Sequence, residues 1–299
     1  MKTMMLSYLI IAGLCFWLSR AYRRRNTAVT FKDHTGERVV IFGASSGIGE
    51  QLALQYARRG ARLVLVARRE ALLESVTSGC LSFPTCKQAS YIVGDITQEA
   101  DLLGIVAATK DQLDGCDTVV INAGILSILP FEQVCEKDTT RIIQPLFETN
   151  TLAPIYIAKH FMPLLKQSRG KFIVVSSLAG SLPAPTRSLY AASKHAVNGF
   201  FNSLRIEVQQ YGVSVCICLP ASVDTGLRES AVDATGGGGK KDGESKLDPE
   251  TCAREIIRAG DLRKTEVYIP SKYWVGVVLR NFVPGFVDGM AAKKYGFAR

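Results

Sequence analysis

The sequence predicts an α/β fold, a doubly wound parallel sheet of about seven strands with helices on both faces. From Gly36 onward, strand-like and helix-like runs alternate along the chain. The strand-like runs are continuous apolar stretches, such as VVIF at residues 39–42, which is typical of parallel strands buried on both sides. The chain has 299 residues and is 47% hydrophobic, enough for one sizeable core. We therefore expect residues 26–299 to form a single domain.

The predicted strands share one composition. Each is a short run that contains valine, isoleucine or leucine, residues that suit a buried parallel strand. In order, the predicted strands cover residues 38–42, 62–66, 90–93, 118–121, 171–176, 214–219 and 266–269.

Helical runs separate these strands. The first and the last end at Gly60 and Gly212, and glycine is the residue most common just beyond a helix C-terminus. A stretch from 226 to 248 breaks the alternation, because four consecutive glycines precede two lysines there, so we expect a mobile loop. The predicted helices cover residues 49–60, a helix starting over 70–77, and residues 101–113, 139–166 and 189–211.

An apolar segment precedes the alternating region. Residues 3–19 are apolar except for Thr3, Ser7 and Ser19, and four arginines follow at 20 and 23–25. As a helix the segment would be roughly 26 Å long, against about 30 Å of bilayer hydrocarbon. A cleaved signal peptide would need a small-residue cleavage site, and a buried core helix would not need four arginines. We therefore expect residues 1–25 to be a membrane anchor with a basic flank, which places the rest of the chain in the cytosol.

Charge and cysteine content argue against two other classes of site. The net charge is +9, but no basic stripe interleaved with aromatics runs along a helix, so no nucleic-acid partner is expected. The eight cysteines form no C-x-x-C pair, so no metal site is expected. Cys216 and Cys218 lie two apart in a predicted strand and should point to the same sheet face as buried thiols.

A glycine-rich loop, GASSGIG at residues 43–49, joins the first strand to the first helix. Glycines at this place let the backbone approach a pyrophosphate, which the free N–H groups at the helix start then bind. The position of the loop predicts a Rossmann-like, dinucleotide-binding fold.

The end of the second strand indicates which dinucleotide is bound. An NAD-binding chain would carry Asp or Glu there for the ribose 2′-hydroxyl, whereas this chain has Ala67 followed by Arg68 and Arg69. Two guanidinium groups without a carboxylate favour a 2′-phosphate, and hence NADP(H). Arg68 is the better candidate because it is nearer the strand end. The alternative is that both arginines are solvated residues before a helix.

A second constellation lies further along the chain. Tyr190 and Lys194 are four residues apart on a predicted helix and so share one face. Alone, such a pair is an ordinary surface pair. Here it follows a strand that ends in Ser176 and Ser177. Ser177 is the preferred member, because a strand residue at Ser176 would face the other way.

Together these motifs resemble the short-chain dehydrogenase/reductase family over residues 36–225. The resemblance rests on GASSGIG at 43–49, GDI at 94–96, NAG at 122–124, Asn150, Ser177, YAASK at 190–194 and the stretch from Pro220 to Thr225. Phe42, Ile121 and Ala221 depart from the usual family pattern without removing a catalytic group.

The resemblance implies roles for individual residues. Tyr190 would transfer the proton that accompanies hydride transfer, Lys194 would favour its phenolate and hold the ribose, Ser177 would orient the substrate oxygen, and Asn150 would hold a water in the proton relay. Asp95 would meet the adenine and Thr225 the nicotinamide carboxamide. The cofactor-binding set is Gly43, Ser45, Ser46, Gly47, Ile48, Gly49, Arg68, Arg69, Asp95, Ile96, Asn122, Ala123, Gly124, Tyr190, Lys194, Pro220, Val223 and Thr225.

The resemblance is to membrane-anchored hydroxysteroid dehydrogenases and keto-lipid reductases in particular. It implies an NADPH-dependent enzyme that interconverts a hydrophobic ketone or aldehyde and its alcohol, as a homodimer at the endoplasmic reticulum membrane or a lipid droplet. Two alternatives are NADP-dependent oxidation of a sterol or retinoid alcohol, and a nucleotide-binding membrane scaffold without turnover. The apolar C-terminal segment, residues 272–299, would either dip into the bilayer or form a wall of the substrate pocket or a dimer contact.

Overall fold

The computed structural model describes residues 33–134, 138–228, 231–233 and 246–297, together with Gly13. The predicted anchor over residues 1–25 lies, apart from Gly13, outside these ranges, as does most of the predicted mobile loop. Within the described ranges, no helix combines the length and the apolar character that crossing a membrane requires.

The described chain contains one sheet of seven parallel strands, which confirms the predicted α/β class. Every predicted strand is present, and the register pairs β1 with β2 and with β4 along nearly their full lengths. The strand order is β3-β2-β1-β4-β5-β6-β7. The strands are β1 Arg38–Phe42, β2 Arg62–Ala67, β3 Gln88–Val93, β4 Thr118–Ile121, β5 Lys171–Val175, β6 Ser214–Pro220 and β7 Glu266–Ile269.

The helices cover both faces of the sheet and agree with the predicted ones to within a few residues over the first 211 positions. The described helices are α1 Gly47–Arg58, α2 Glu70–Leu81, α3 Glu99–Leu113, α4 Ala153–Ser168, α5 Ser188–Glu207, α6 Pro249–Asp261, α7 Tyr273–Phe282 and α8 Pro284–Tyr295. The last three were not predicted.

The long helix predicted over 139–166 is present but is not regular. Before α4 the chain makes two π-helical turns, Thr139–Ile143 and Glu148–Leu152, around a short helix at Gln144–Phe147. Wide turns of this kind are frequent at functional sites, and the second one contains Asn150.

The sheet separates two hydrophobic cores because successive strand residues point to opposite faces. Val40 and Phe42 of β1 join a core with α3, α4 and α5. Val39 and Ile41 join a core with α1, α2 and α6. This arrangement accounts for the continuous apolar runs of the central strands, since both of their faces are covered.

The predicted thiol pair is confirmed. Cys216 and Cys218 are both buried on one face of β6, with their sulfur atoms 3.8 Å apart. The other cysteines in the described ranges are also buried and free.

A buried ionic cluster lies at the amino ends of the strands. The His34 ring contacts Glu37 through Nδ1 at 2.5 Å and Asp261 through Nε2 at 3.3 Å. Lys171 Nζ lies 2.9 Å from a Glu37 oxygen and 3.6 Å from an Asp261 oxygen. The cluster therefore ties the segment before β1 to β5 and to the end of α6.

The opposite end of the sheet positions the candidate site. The chain leaves β1 toward β2 and β3 and then crosses back to β4, so the strand order reverses between β1 and β4. Ligands of doubly wound sheets bind at such a reversal, at the carboxyl ends of the strands. The predicted motifs of residues 43–49, 122–124 and 220–225 all follow strands at this end.

Candidate functional site

The loop after β1 can hold its shape only with glycine at three positions. Gly43 has φ of +77°, and a Cβ there would lie 2.7 Å from the Ala123 backbone. Gly49 packs so closely that a Cβ would lie 2.0 Å from the Gly43 carbonyl oxygen. The loop therefore leaves a cradle of backbone at the start of α1, which suits a pyrophosphate.

Two further contacts fix this loop. Gly47 has φ of +59°, and a Cβ there would lie 2.8 Å from the Thr225 methyl group. The Asn122 amide donates to the Gly43 carbonyl at 2.9 Å. The segments after β1, β4 and β6 thus meet at one place, as the sequence motifs predict.

The two arginines after β2 have different contacts. Arg69 donates to the Ser45 and Ser46 hydroxyls at 2.9 and 2.7 Å. Arg68 is 67% exposed and lies 3.7 Å from Asp95. Both guanidinium groups line the cavity described below, and no carboxylate takes the place of Ala67 at the strand end.

Ser177 and Tyr190 line the same cavity. Ser177 caps the short helical turn Leu178–Gly180, and its hydroxyl accepts from the Ala179 N–H at 3.2 Å. The Ser177 hydroxyl also lowers the pKa of the nearby Tyr190 phenol. The neighbouring Ser176 is buried, and its hydroxyl has no hydrogen-bond partner among the described residues. This geometry agrees with the preference for Ser177.

Lys194 and Asn150 meet at Gly124. A Cβ on Gly124 would lie 3.1 Å from the Asn150 amide oxygen and 3.5 Å from Lys194 Nζ. Asn150 accepts from the Ile125 N–H and donates to the Ile125 carbonyl, both at 2.9 Å. Asn150 therefore also holds the chain after β4 in place beside Lys194.

Burial shifts the two titrating groups in opposite directions. Burial raises the pKa of Tyr190, while the Ser177 hydrogen bond and the positive charge of Arg187 lower it in part. Burial lowers the pKa of Lys194 to about 8. Both directions follow from the cost of a charge away from water.

One cavity of about 740 Å³ joins these groups. The cavity is lined by Ser177, Tyr190 and Lys194, and by every predicted cofactor-binding residue except Gly49. Gly49 lies behind the loop and Asn150 lies behind Gly124, so neither reaches the cavity wall. The structure therefore brings together nearly all of the predicted residues.

Some of the residues that line the cavity belong to none of the predicted sequence motifs. The C-terminal helices contribute Tyr273 of α7, Val287 and Tyr295 of α8, so part of the segment over 272–299 is a pocket wall. Arg187 and Arg228 also line the cavity. Arg187 lies three residues before Tyr190, and that spacing is the one sequence signal that could have identified it.

A buried carboxylate joins the segment after β6 to the loop after β4. Asp233 is 3% exposed and accepts from the Ser127 hydroxyl at 2.7 Å. It also accepts from the N–H groups of Ile128 at 3.0 Å and Leu129 at 2.9 Å. These bonds hold Ala231 against a small apolar cluster that includes Tyr190.

No group of three or more His, Cys, Asp or Glu side chains within the described ranges is arranged to hold a metal ion.

Comparisons with known proteins agree with this geometry. The family model described as short chain dehydrogenase matches residues 37–236. A protein of Danio rerio named hydroxysteroid 11-beta-dehydrogenase 1-like protein is 34% identical over 277 residues, covering 91% of this chain and 93% of that protein. Its namesake from Xenopus tropicalis is 37% identical, with 87% and 88% covered. Among solved structures, an alcohol dehydrogenase from the archaeon Thermococcus sibiricus, complexed with 5-hydroxy-NADP, aligns with a TM-score of 0.68 at 25% identity, covering 78% of this chain and 95% of that one.

Proposed function

The chain belongs to the short-chain dehydrogenase family, and from that premise we propose that it interconverts a hydrophobic ketone or aldehyde and its alcohol with NADP(H). The observation that carries the proposal is that Ser177, Tyr190 and buried Lys194 line one cavity, which continues from the glycine cradle to an apolar wall. These groups lie where a substrate oxygen and a dinucleotide would meet.

The proposed chemistry needs a proton at the substrate oxygen. NADPH, when bound, supplies the hydride. Tyr190 donates its phenolic proton to the developing alkoxide, and Ser177 donates a hydrogen bond to the same oxygen. Lys194, with a pKa of about 8, is largely protonated at neutral pH and stabilises the phenolate that remains. In the reverse direction the same groups accept the proton from an alcohol.

The residues present fit NADP(H). A Cβ on Gly43 would collide with the Ala123 backbone, and one on Gly47 would collide with Thr225. The loop therefore keeps this shape only with glycine, which leaves its backbone open to the close approach of a pyrophosphate. Arg68 and Arg69 supply the positive charge that a 2′-phosphate requires, and Ala67 offers no carboxylate to a ribose hydroxyl. The Thermococcus sibiricus enzyme, complexed with 5-hydroxy-NADP, supports the same cofactor.

The apolar wall supports a lipid-like or steroid-like substrate. Tyr273, Val287 and Met290 line the cavity from the C-terminal helices, and the names of the relatives refer to hydroxysteroids. We propose further that residues 1–25 anchor the protein in the endoplasmic reticulum or lipid-droplet membrane, with residues 26–299 as one cytosolic catalytic domain that forms a homodimer.

The test is turnover by the full-length protein in detergent. NADPH and NADH are each supplied with a panel of steroid ketones, long-chain keto-lipids and retinaldehyde. We expect turnover with NADPH on one class, and a fall of about tenfold or more in the NADPH preference when Arg68 or Arg69 is replaced by alanine, as expected for loss of a charged hydrogen bond. Equal use of NADH by the unsubstituted protein would contradict the cofactor assignment.

A further inference from the structure

The substrate end of the cavity carries the guanidinium group of Arg187. Asp95 is the one acidic side chain among the described residues that line the cavity, and it lies beside Arg68 at the other end. Arg187 and Lys294 line the cavity where the C-terminal helices close it. A neutral ketone or alcohol would offer the Arg187 guanidinium no negative charge.

Arg187 is the most informative of these groups. It lies just before α5, and its Nε atom is buried without a hydrogen-bond partner among the described residues. Its guanidinium carbon is 5.7 Å from the centre of the Tyr295 ring. Lys294 Nζ is 5.6 Å from the same ring. Two cations therefore flank one aromatic side chain in the cavity wall.

These cations are not part of the cofactor machinery. The glycine cradle, the arginines after β2 and Lys194 lie on the segments that the family motifs identify. Arg187 and Lys294 lie on the start of α5 and on α8, next to the apolar residues Val287 and Ala291 of the cavity wall. The Arg187 Nε is buried without an acceptor among the described residues, and a buried donor without an acceptor is costly. A ligand that supplies an acceptor would therefore bind there favourably.

Resting on the proposed function, we infer that the substrate is an amphiphilic anion. Its carbonyl or hydroxyl group faces Tyr190, its hydrocarbon part lies on the α7–α8 wall, and an anionic oxygen group, a carboxylate, sulfate or phosphate, pairs with Arg187. Guanidinium groups bind such oxyanions in a bidentate manner. An anionic group bound by Arg187 would hold the substrate near Tyr190, which lies three residues further along the chain.

A structural role for Arg187 makes a different prediction. If the guanidinium only holds α8 through the Tyr295 ring, its removal should loosen the wall for neutral and anionic ligands alike. If it binds an oxyanion, removal should act on the anionic ligand alone. The ratio between matched ligands separates the two roles.

The first arm of the test measures binding to the full-length protein saturated with NADP⁺. The probes are 1-anilinonaphthalene-8-sulfonate and N-phenyl-1-naphthylamine, which share a fluorophore and differ in the sulfonate. We expect Arg187→Leu to weaken the sulfonate relative to the neutral probe by about tenfold or more, and Arg187→Lys to restore part of the preference. The matched control is Lys293→Leu, which removes an exposed cation of α8 that does not line the cavity.

The second arm measures NADPH-dependent reduction of a long-chain oxo-fatty acid and of its methyl ester. We expect kcat/KM to favour the acid, and Arg187→Leu to lower the acid-to-ester ratio by about tenfold or more through KM. Equal turnover of both compounds, or an unchanged ratio in the variant, would overturn the inference and leave the proposed function standing. If neither compound is reduced, the proposed function fails for this class, and the probe ratio still decides the role of Arg187.

Discussion

Replacement of Asp233 by alanine should destabilise the protein and weaken substrate binding together. Three donors would lose their acceptor, namely the Ser127 hydroxyl and the N–H groups of Ile128 and Leu129. All three face a carboxylate that is 3% exposed, so water does not compete freely for them. At about 1 kcal/mol or slightly more for each stranded donor, the loss is about 3 to 4 kcal/mol.

The melting temperature reports this loss. For a domain of this size, each kcal/mol corresponds to about 2 to 4 °C, so the unfolding midpoint should fall by about 10 °C in a calorimetric or fluorescence melt. Ser127→Ala removes one donor and should cost about 1 kcal/mol. The matched control is Asp224→Ala, because Asp224 is largely exposed and forms a surface ion pair with Lys246, a contact that contributes about 0 to 1 kcal/mol.

The same substitution should raise KM for the carbonyl substrate by about tenfold, more than it changes the affinity for NADPH. The reason is that Asp233 holds Ala231 in the apolar cluster that includes Tyr190, while its hydrogen bonds go to residues 127–129 and not to the glycine-rich loop. Asp233→Glu should recover part of the KM. A variant that melts within about 2 °C of the unsubstituted protein would show that the carboxylate does not fasten these segments.

Two further predictions concern the cofactor loop and the ionic cluster. Gly49→Ala should abolish NADPH binding, measured by fluorescence titration, because the added Cβ would lie 2.0 Å from the Gly43 carbonyl oxygen; binding within about twofold of normal would show that the loop can yield. Burial disfavours the charged His34 ring, but the hydrogen bonds to Asp261 and Glu37 outweigh it and raise the pKa of His34 above 6.5. The stabilisation from charged His34 should therefore be complete below pH 6.5 and be lost as the pH rises through the higher pKa of the folded state. His34→Gln should flatten the dependence of the unfolding free energy on pH in that range. An equal pH dependence in both proteins would contradict this role.

Much of the fold followed from local sequence patterns. The strands were predictable because each is a continuous apolar run, and the cofactor loop because its glycines lie between a strand and a helix. Helix α6 also had a local signal, since Asp248 caps it by accepting from the Thr251 N–H at 2.8 Å and Pro249 begins it. That signal was missed because it directly follows the glycine-rich stretch.

Other parts of the site depend on contacts that no local pattern records. Asp233 accepts a hydrogen bond from Ser127, which lies about a hundred positions earlier in the sequence. No local sequence pattern around either residue predicts that bond. Helix α8 has almost no amphipathic periodicity. Helix α7 has a clear apolar face, but such a face suits a membrane surface as well as a pocket wall. Arg187 was assigned no role because its partner, Tyr295, lies on the last of these helices.

The central claim is that Tyr190 transfers the proton, and the most direct measurement compares Tyr190→Phe with the unsubstituted full-length protein. NADPH affinity is measured by titration, and carbonyl reduction is followed as NADPH oxidation with one accepted substrate from the panel. The account predicts that NADPH binds within about threefold of normal while kcat falls by about a thousandfold, the scale of lost acid catalysis. A Tyr190→Phe protein that reduces the carbonyl at a rate within about tenfold of normal would contradict it.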